Sequence, residues 1–182
     1  MTDMIPFIDL AAQRARIKDD LDRRIAKVIE EGRYVLGPEV QELETRLKEF
    51  GRAPHALACA NGTDALVLPL MAWGLKPGDA VFVPSFTFAS TAEVVPWLGA
   101  TPVFVDIDPD TYCMDPASLQ AAIESVVEAG ELNPVAVIAV DLFGQPADYP
   151  AISALTRRHG LKLIADSAQG FGCTLNDEHP IH

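Results

Sequence analysis

A chain of 182 residues with 49% hydrophobic and 22% charged side chains holds enough apolar material for one domain with a real core, which excludes a disordered polymer. Its formal net charge of −12 and pI near 4.6, with no dense basic patch, exclude nucleic acid and an anionic membrane as partners, so an anionic ligand must be met by local backbone donors. Cys59, Cys113 and Cys173 are far apart and lack zinc-site spacing, no basic-then-apolar leader opens the chain, and no apolar run approaches a membrane span; together these predict a soluble cytoplasmic protein with buried thiols.

Ile17, Leu21, Ile25, Val28 and Ile29 recur at helical spacing from about Leu10, and Gly32 supplies the stop. Gly37-Pro38 opens a second helix with Val40, Leu43, Leu47 and Phe50 on one face and Gly51 behind it. The pattern then alternates: strand 56–59, helix 63–73, strand 80–83, helix 88–98, strand 102–105, helix 116–129, strand 135–140, helix 149–159 and strand 161–165. This order predicts an α/β domain over residues 56–182, a mostly parallel sheet flanked by helices, behind a helical N-terminal segment of residues 1–55. Pro69 and Pro96 fall inside two of these helices and predict kinks or early ends. Residues 173–182 have neither period nor stop signal, so the sheet is expected to continue in a longer protein. His179 and His182 lie in that polar tail without a third ligand nearby, and no metal is assigned.

Three segments put chemistry where strands meet helices. Leu161-Lys162-Leu163-Ile164-Ala165 reads as a strand covered on both faces, and it delivers Asp166 to the carboxyl edge, where open α/β sheets bind ligands. By itself Asp166 could equally be a cap on nearby amides. Asn61-Gly62-Thr63-Asp64 begins a helix after a strand, so the amides of Gly62 and Thr63 would face an anion at the positive end of the helix dipole, with the Thr63 hydroxyl as a further donor. An ordinary glycine turn with a threonine cap fits the same residues. Pro84-Ser85-Phe86-Thr87-Phe88 brings Phe88 to that edge as a possible stacking face, although aromatics at helical spacing are usually core. Gln145, in the turn 141–146, is read as structural. Taken together, a phosphate cradle, an aromatic stacker and a strand-end aspartate near a glutamine, Gln169, are the parts of a pyridoxal phosphate site, in which a carboxylate keeps the pyridine nitrogen protonated and the ring acts as an electron sink.

At these residues the chain resembles the DegT/DnrJ/EryC1/StrS family of pyridoxal phosphate-dependent sugar aminotransferases. The resemblance runs in order through Ile5-Pro6-Phe7-Ile8-Asp9-Leu10, Gly32-Arg33-Tyr34-Val35-Leu36-Gly37-Pro38-Glu39-Val40, Asn61-Gly62-Thr63-Asp64-Ala65-Leu66, Pro84-Ser85-Phe86-Thr87-Phe88, Val105-Asp106-Ile107-Asp108-Pro109 and Asp166-Ser167-Ala168-Gln169. It implies the aspartate-aminotransferase-like fold type I. It also implies that Gly62 and Thr63 hold the cofactor phosphate, Phe88 stacks on the ring, Asp166 pairs with the ring nitrogen as the catalytic carboxylate, and Gln169 lies near the ring hydroxyl.

Family members carry their cofactor-bonding lysine in a Ser-Phe-x-Pro-x-Lys-type segment after the Asp-x-Ala-Gln motif, and the sequence ends before such a segment. Lys162 is no substitute, since four residues of extended chain put it roughly 13 Å from Asp166. Residues 56–182 are therefore expected to be a large domain without its last strands and small domain, and the chain is expected to be inactive by itself and to pair with a second copy. Ala165 and Ser167 depart from the commoner glutamate and alanine beside the aspartate. The resemblance implies transfer of an amino group, usually from glutamate, to a keto carbon of a nucleotide-linked sugar. Cys59-Ala60-Asn61-Gly62-Thr63-Asp64-Ala65-Leu66 and Val105-Asp106-Ile107-Asp108-Pro109-Asp110-Thr111-Tyr112 look most like members acting on a UDP-linked 3-keto-N-acetylglucosaminuronate. The alternatives are a pyridoxamine phosphate-dependent sugar dehydratase of the same family, with histidine in place of the lysine, and a non-catalytic binding or assembly module.

Overall fold

The computed structural model describes residues 8–175; the first residues of the Ile5 to Leu10 motif, and His179 and His182, lie outside them. Among the described residues the helices are α1 (Leu10–Glu31), α2 (Pro38–Phe50), α3 (Gly62–Ala72), α4 (Ser90–Trp97), α5 (Pro116–Ala129) and α6 (Tyr149–His159). The strands are β1 (Asp79–Pro84), β2 (Thr101–Val105), β3 (Asn133–Val140) and β4 (Lys162–Asp166). All pairings are parallel, in the order β2-β1-β3-β4. The chain steps from β1 outward to β2 and then returns to the other side of β1. The carboxyl ends of β1 and β3 thus flank the topological switch point where such sheets bind ligands.

Strand alternation fills both faces of this sheet. Val81 and Val83 of β1 and Ala136 and Ile138 of β3 pack with Leu66, Val67 and Leu70 of α3 and Val94 and Val95 of α4. Phe82, Val137 and Ala139 point the other way, onto Leu119 and Ile123 of α5 and Ile152 and Leu155 of α6. This two-sided burial explains why β1 after Asp79 reads as an unbroken apolar run with no polar alternation. Ile152 is fully buried, so Ile152→Ala should lower unfolding free energy by about 2–5 kcal/mol, measured by chemical denaturation; a change below about 0.5 kcal/mol, the size of a surface substitution, would contradict this packing.

Asp115 and Asp148 cap α5 and α6, accepting bonds from Ala117 and Ser118 and from Ala151. Gly32, Gly130 and Gly160 end α1, α5 and α6 in the left-handed conformation. The helices α3 and α4 run through Pro69 and Pro96, where buried side chains on the inner face offset the missing backbone donor. The expected strand at 56–59 is absent. Neither sheet edge pairs with it, Leu57 is 83% exposed, and the Ala58 N–H donates instead to Glu44 Oε1 at 2.8 Å. A short apolar run needs a neighbouring strand to become one, and none reaches it among the described residues. The expectation of uniformly buried thiols also fails, because Cys59 is exposed, Cys113 is buried and Cys173 is half-buried.

The helices α1 and α2 carry no buried side chains and are linked by Arg24–Glu42 and Lys27–Glu39 ion pairs of 2.8 and 2.9 Å. Such exposed pairs add little stability. Phe50 at the end of α2 stacks on Phe171 with ring centroids 5.0 Å apart, a contact to the turn that follows β4.

Candidate active site

Gly62, Thr63, Phe88, Asp166 and Gln169 line one cleft of about 250 Å³ at the carboxyl edge of the sheet, together with Leu66, Ser90 and Ala168. Residues separated by more than a hundred positions in sequence are brought together there, and alternation explains how. In β4, Leu163 and Ala165 pack toward α5 and α6 while Ile164 packs toward α3 and α4. Asp166 has the parity of Ile164 and therefore faces α4 and the start of α3.

The N-terminus of α3 is capped by Asn61, not by Thr63: Asn61 Oδ1 accepts the Asp64 N–H at 2.9 Å, and Asn61 Nδ2 donates to Asp64 Oδ2 at 3.0 Å. Asp64 is thus tied back to the cap. The Gly62 and Thr63 amides have no acceptor among the described residues and stand at the positive end of the helix. A Cβ added at Gly62 would meet nothing within 4 Å, so the approach to these amides is open. Phe88 precedes α4 rather than beginning it and exposes 70% of its surface.

Asp166 Oδ2 accepts the Thr91 hydroxyl at 3.4 Å and Oδ1 accepts the Ala168 N–H at 3.3 Å. Thr91 Oγ1 also lies 3.1 Å from Thr87 Oγ1. Burial pushes the Asp166 carboxyl above its ordinary range; the bonds from Ala168 and Thr91 oppose that shift, and nearby Asp141 adds to it. Gln169 lines the cleft with its side-chain oxygen already engaged, since Oε1 accepts the Phe143 N–H at 2.6 Å.

Sequence reasoning missed Asp141, which is fully buried. It follows β3 as Asp166 ends β4, but its parity turns it to the opposite face, toward α6. Its Oδ1 accepts the Ala147 N–H at 3.1 Å and the Tyr149 hydroxyl at 2.7 Å, and its Oδ2 accepts the Ser167 hydroxyl at 2.5 Å. Its own N–H donates to the Asp166 carbonyl at 3.0 Å. Burial, reinforced by Asp141, holds the Tyr149 phenol far above its ordinary range, so Tyr149 stays a donor. At Gly170 an added Cβ would lie 2.8 Å from Asp141 Cβ, so the turn after Asp166 is wrapped closely around the Asp141 side chain. The available signal was the same one that exposed Asp166: an acid directly after a buried apolar strand.

This is a doubly wound α/β sheet with a helix N-terminus, an exposed ring and a desolvated carboxylate meeting at its carboxyl edge. The chain belongs to the DegT/DnrJ/EryC1/StrS aminotransferase family, whose model matches residues 15–180. It is 51% identical over 171 residues to the UDP-2-acetamido-2-deoxy-3-oxo-D-glucuronate aminotransferase of Pseudomonas aeruginosa, covering 94% of this chain and 46% of that protein. The crystal structure of a DegT DnrJ EryC1 StrS aminotransferase from Brucella abortus superposes with a TM-score of 0.91 at 57% identity, covering 93% of this chain and 45% of that one. NtdA from Bacillus subtilis, solved with bound cofactor PMP, superposes with a TM-score of 0.84 at 30% identity, covering 96% of this chain and 39% of that one. The chain spans about half the length of the curated relatives it matches, and its fold is the α/β fold of these aminotransferase structures.

Proposed function

We propose that this chain forms the cofactor-binding part of a pyridoxal phosphate-dependent aminotransferase acting on a nucleotide-linked keto sugar, with residues 1–55 as an N-terminal helical segment and 56–182 as part of the large domain. The observation that carries this reading is the convergence of Gly62, Thr63, Phe88 and Asp166 on one cleft. The Gly62 and Thr63 amides and the Thr63 hydroxyl donate to the cofactor phosphate. Phe88 would cover one face of the ring, and Asp166 would keep a proton on the ring nitrogen. Gln169, whose Oε1 is held by the Phe143 N–H, would lie near the ring hydroxyl. When bound, pyridoxal phosphate supplies an electron sink for the carbon that gains or loses the amino group.

The Pseudomonas aeruginosa relative supports a UDP-linked 3-keto-N-acetylglucosaminuronate as the amino acceptor, with glutamate as the donor in the reading proposed here. The exposed stripe of Ile17, Ile25 and Ile29 along α1 supports pairing with a second copy as a homodimer; the three widely spaced cysteines fit a reducing cytoplasm, and the acidic composition argues against nucleic-acid or membrane partners.

Gly62→Asp tests the cofactor reading on the folded chain. The site has room for the side chain, and an acid is well tolerated in a first helical turn. A carboxylate beside the phosphate seat should still weaken pyridoxal phosphate binding by about a hundredfold. Isothermal titration of the 182-residue chain should show saturable binding that this variant weakens by that factor; equal affinity in both proteins would place the phosphate elsewhere.

A further inference from the structure

Beside the cofactor cleft, three aromatic rings gather at the same edge of the sheet, and none of them has been given a role. Phe86 follows β1, Tyr112 lies in the loop after β2, and Phe143 lies in the turn after β3. Their ring centroids are 5.9 Å apart for Phe86 and Tyr112, 6.5 Å for Phe86 and Phe143, and 6.2 Å for Tyr112 and Phe143. They do not belong to either core cluster. Phe86 is 49% exposed, Tyr112 47% and Phe143 70%, so they cover chiefly one another and leave aromatic surface toward solvent.

Two of the three stand on backbone that bulky side chains avoid. Tyr112 has φ 61° and Phe143 has φ 56°, left-handed conformations that persist only where the surroundings enforce them. The Tyr112 loop is fixed by Asp108, whose carbonyl accepts the Tyr112 N–H at 2.8 Å and whose carboxylate accepts the Asp110 and Thr111 amides at 2.9 Å each. Phe143 is held by the 2.6 Å bond from its N–H to Gln169 Oε1, which joins the ring cluster directly to the cleft wall. The backbone that carries Tyr112 and Phe143 is thus held in place beside Phe86.

We propose that Phe86, Tyr112 and Phe143 form a stacking platform for the base of the nucleotide that carries the sugar. This rests on the aminotransferase reading above, in which the keto carbon sits at the cofactor and the nucleotide extends away from it along the sheet edge. No Lys or Arg occurs in the segments 85–91, 106–115 and 141–147, so the platform has no cation with which to take the diphosphate. The rings are inclined to one another by 47°, 63° and 77°, so what they offer is single exposed ring faces with a neighbouring ring edge beside each, onto which a base of any identity can stack.

Uridine diphosphate titrated calorimetrically into the 182-residue chain is the test. Saturable binding is expected, weakened about tenfold or more by Phe143→Leu and by Tyr112→Leu, which keep apolar bulk and lose the ring. Inorganic pyrophosphate should respond to neither substitution, and pyridoxal phosphate affinity should stay within about twofold in Tyr112→Leu. Uridine diphosphate binding unchanged in both variants would overturn the platform, as would unchanged binding accompanied by lost self-association in light scattering, which would mark a protein contact instead. Pyridoxal phosphate binding without any uridine diphosphate binding overturns the platform alone. Ring-dependent uridine diphosphate binding without pyridoxal phosphate binding supports the platform and overturns the cofactor reading.

Discussion

Asp166→Asn in the full-length protein should lower amino-transfer turnover by about a hundredfold or more while leaving the protein folded. A neutral amide cannot hold the ring nitrogen protonated, and the carboxylate it replaces sits in a desolvated position where charge counts for more than in water. The same burial makes Asp166 a liability to the unliganded fold. Its carboxyl titrates above the ordinary 3.8, so its favourable contribution to folding is fully present below that value, where it is protonated in both states. That contribution is lost as pH rises through the raised native value. Asp166→Asn should therefore match or exceed the wild-type melting temperature at pH 7 without cofactor, with the advantage shrinking toward pH 4. A variant that melts well below wild type at pH 7 and retains turnover would make Asp166 a structural cap.

Asp141→Ala should be the most damaging polar substitution in the chain. It leaves the buried Ala147 N–H and Tyr149 hydroxyl, and the part-buried Ser167 hydroxyl, without their acceptor. Unsatisfied buried donors cost about 1–3 kcal/mol each, so a total loss of about 3–5 kcal/mol is expected, or roughly 10 °C in melting temperature for a domain of this size. Asp141→Asn keeps an acceptor oxygen and should lose less. The damage should reach the cleft too, because the Asp141 N–H holds the Asp166 carbonyl and Ser167 is its next neighbour. A melting temperature within about 2 °C of wild type for Asp141→Ala would contradict the network.

The sheet was legible because two-sided burial writes itself plainly: 80–83 and 135–140 are runs in which nearly every residue is apolar, and both are strands. Residues 56–59 carry the same composition and are not a strand, since pairing depends on which neighbours reach them and composition does not record that. Gly62, Thr63, Phe88 and Asp166 could be grouped because each follows a strand or starts a helix at one edge, and their position in the chain already implies the edge. Asp141 was equally well placed but was passed over, because its three donors come from Ala147, Tyr149 and Ser167, residues that only folding brings to it. Tyr112 and Phe143 were invisible for another reason. A left-handed backbone at a bulky residue leaves no mark in the sequence, and without it the ring cluster does not form.

On the function proposed above, this cleft serves amino transfer to a nucleotide-linked keto sugar. The most direct measurement is mass spectrometry of the sugar nucleotide after the full-length protein is incubated with pyridoxal phosphate, glutamate carrying a nitrogen-15 amino group, and UDP-linked 3-keto-N-acetylglucosaminuronate. The account predicts a 3-amino sugar nucleotide bearing the heavy nitrogen, formed by wild type and nearly lost in Asp166→Asn. A keto sugar recovered unlabelled from wild type, or labelled equally by both proteins, would contradict it.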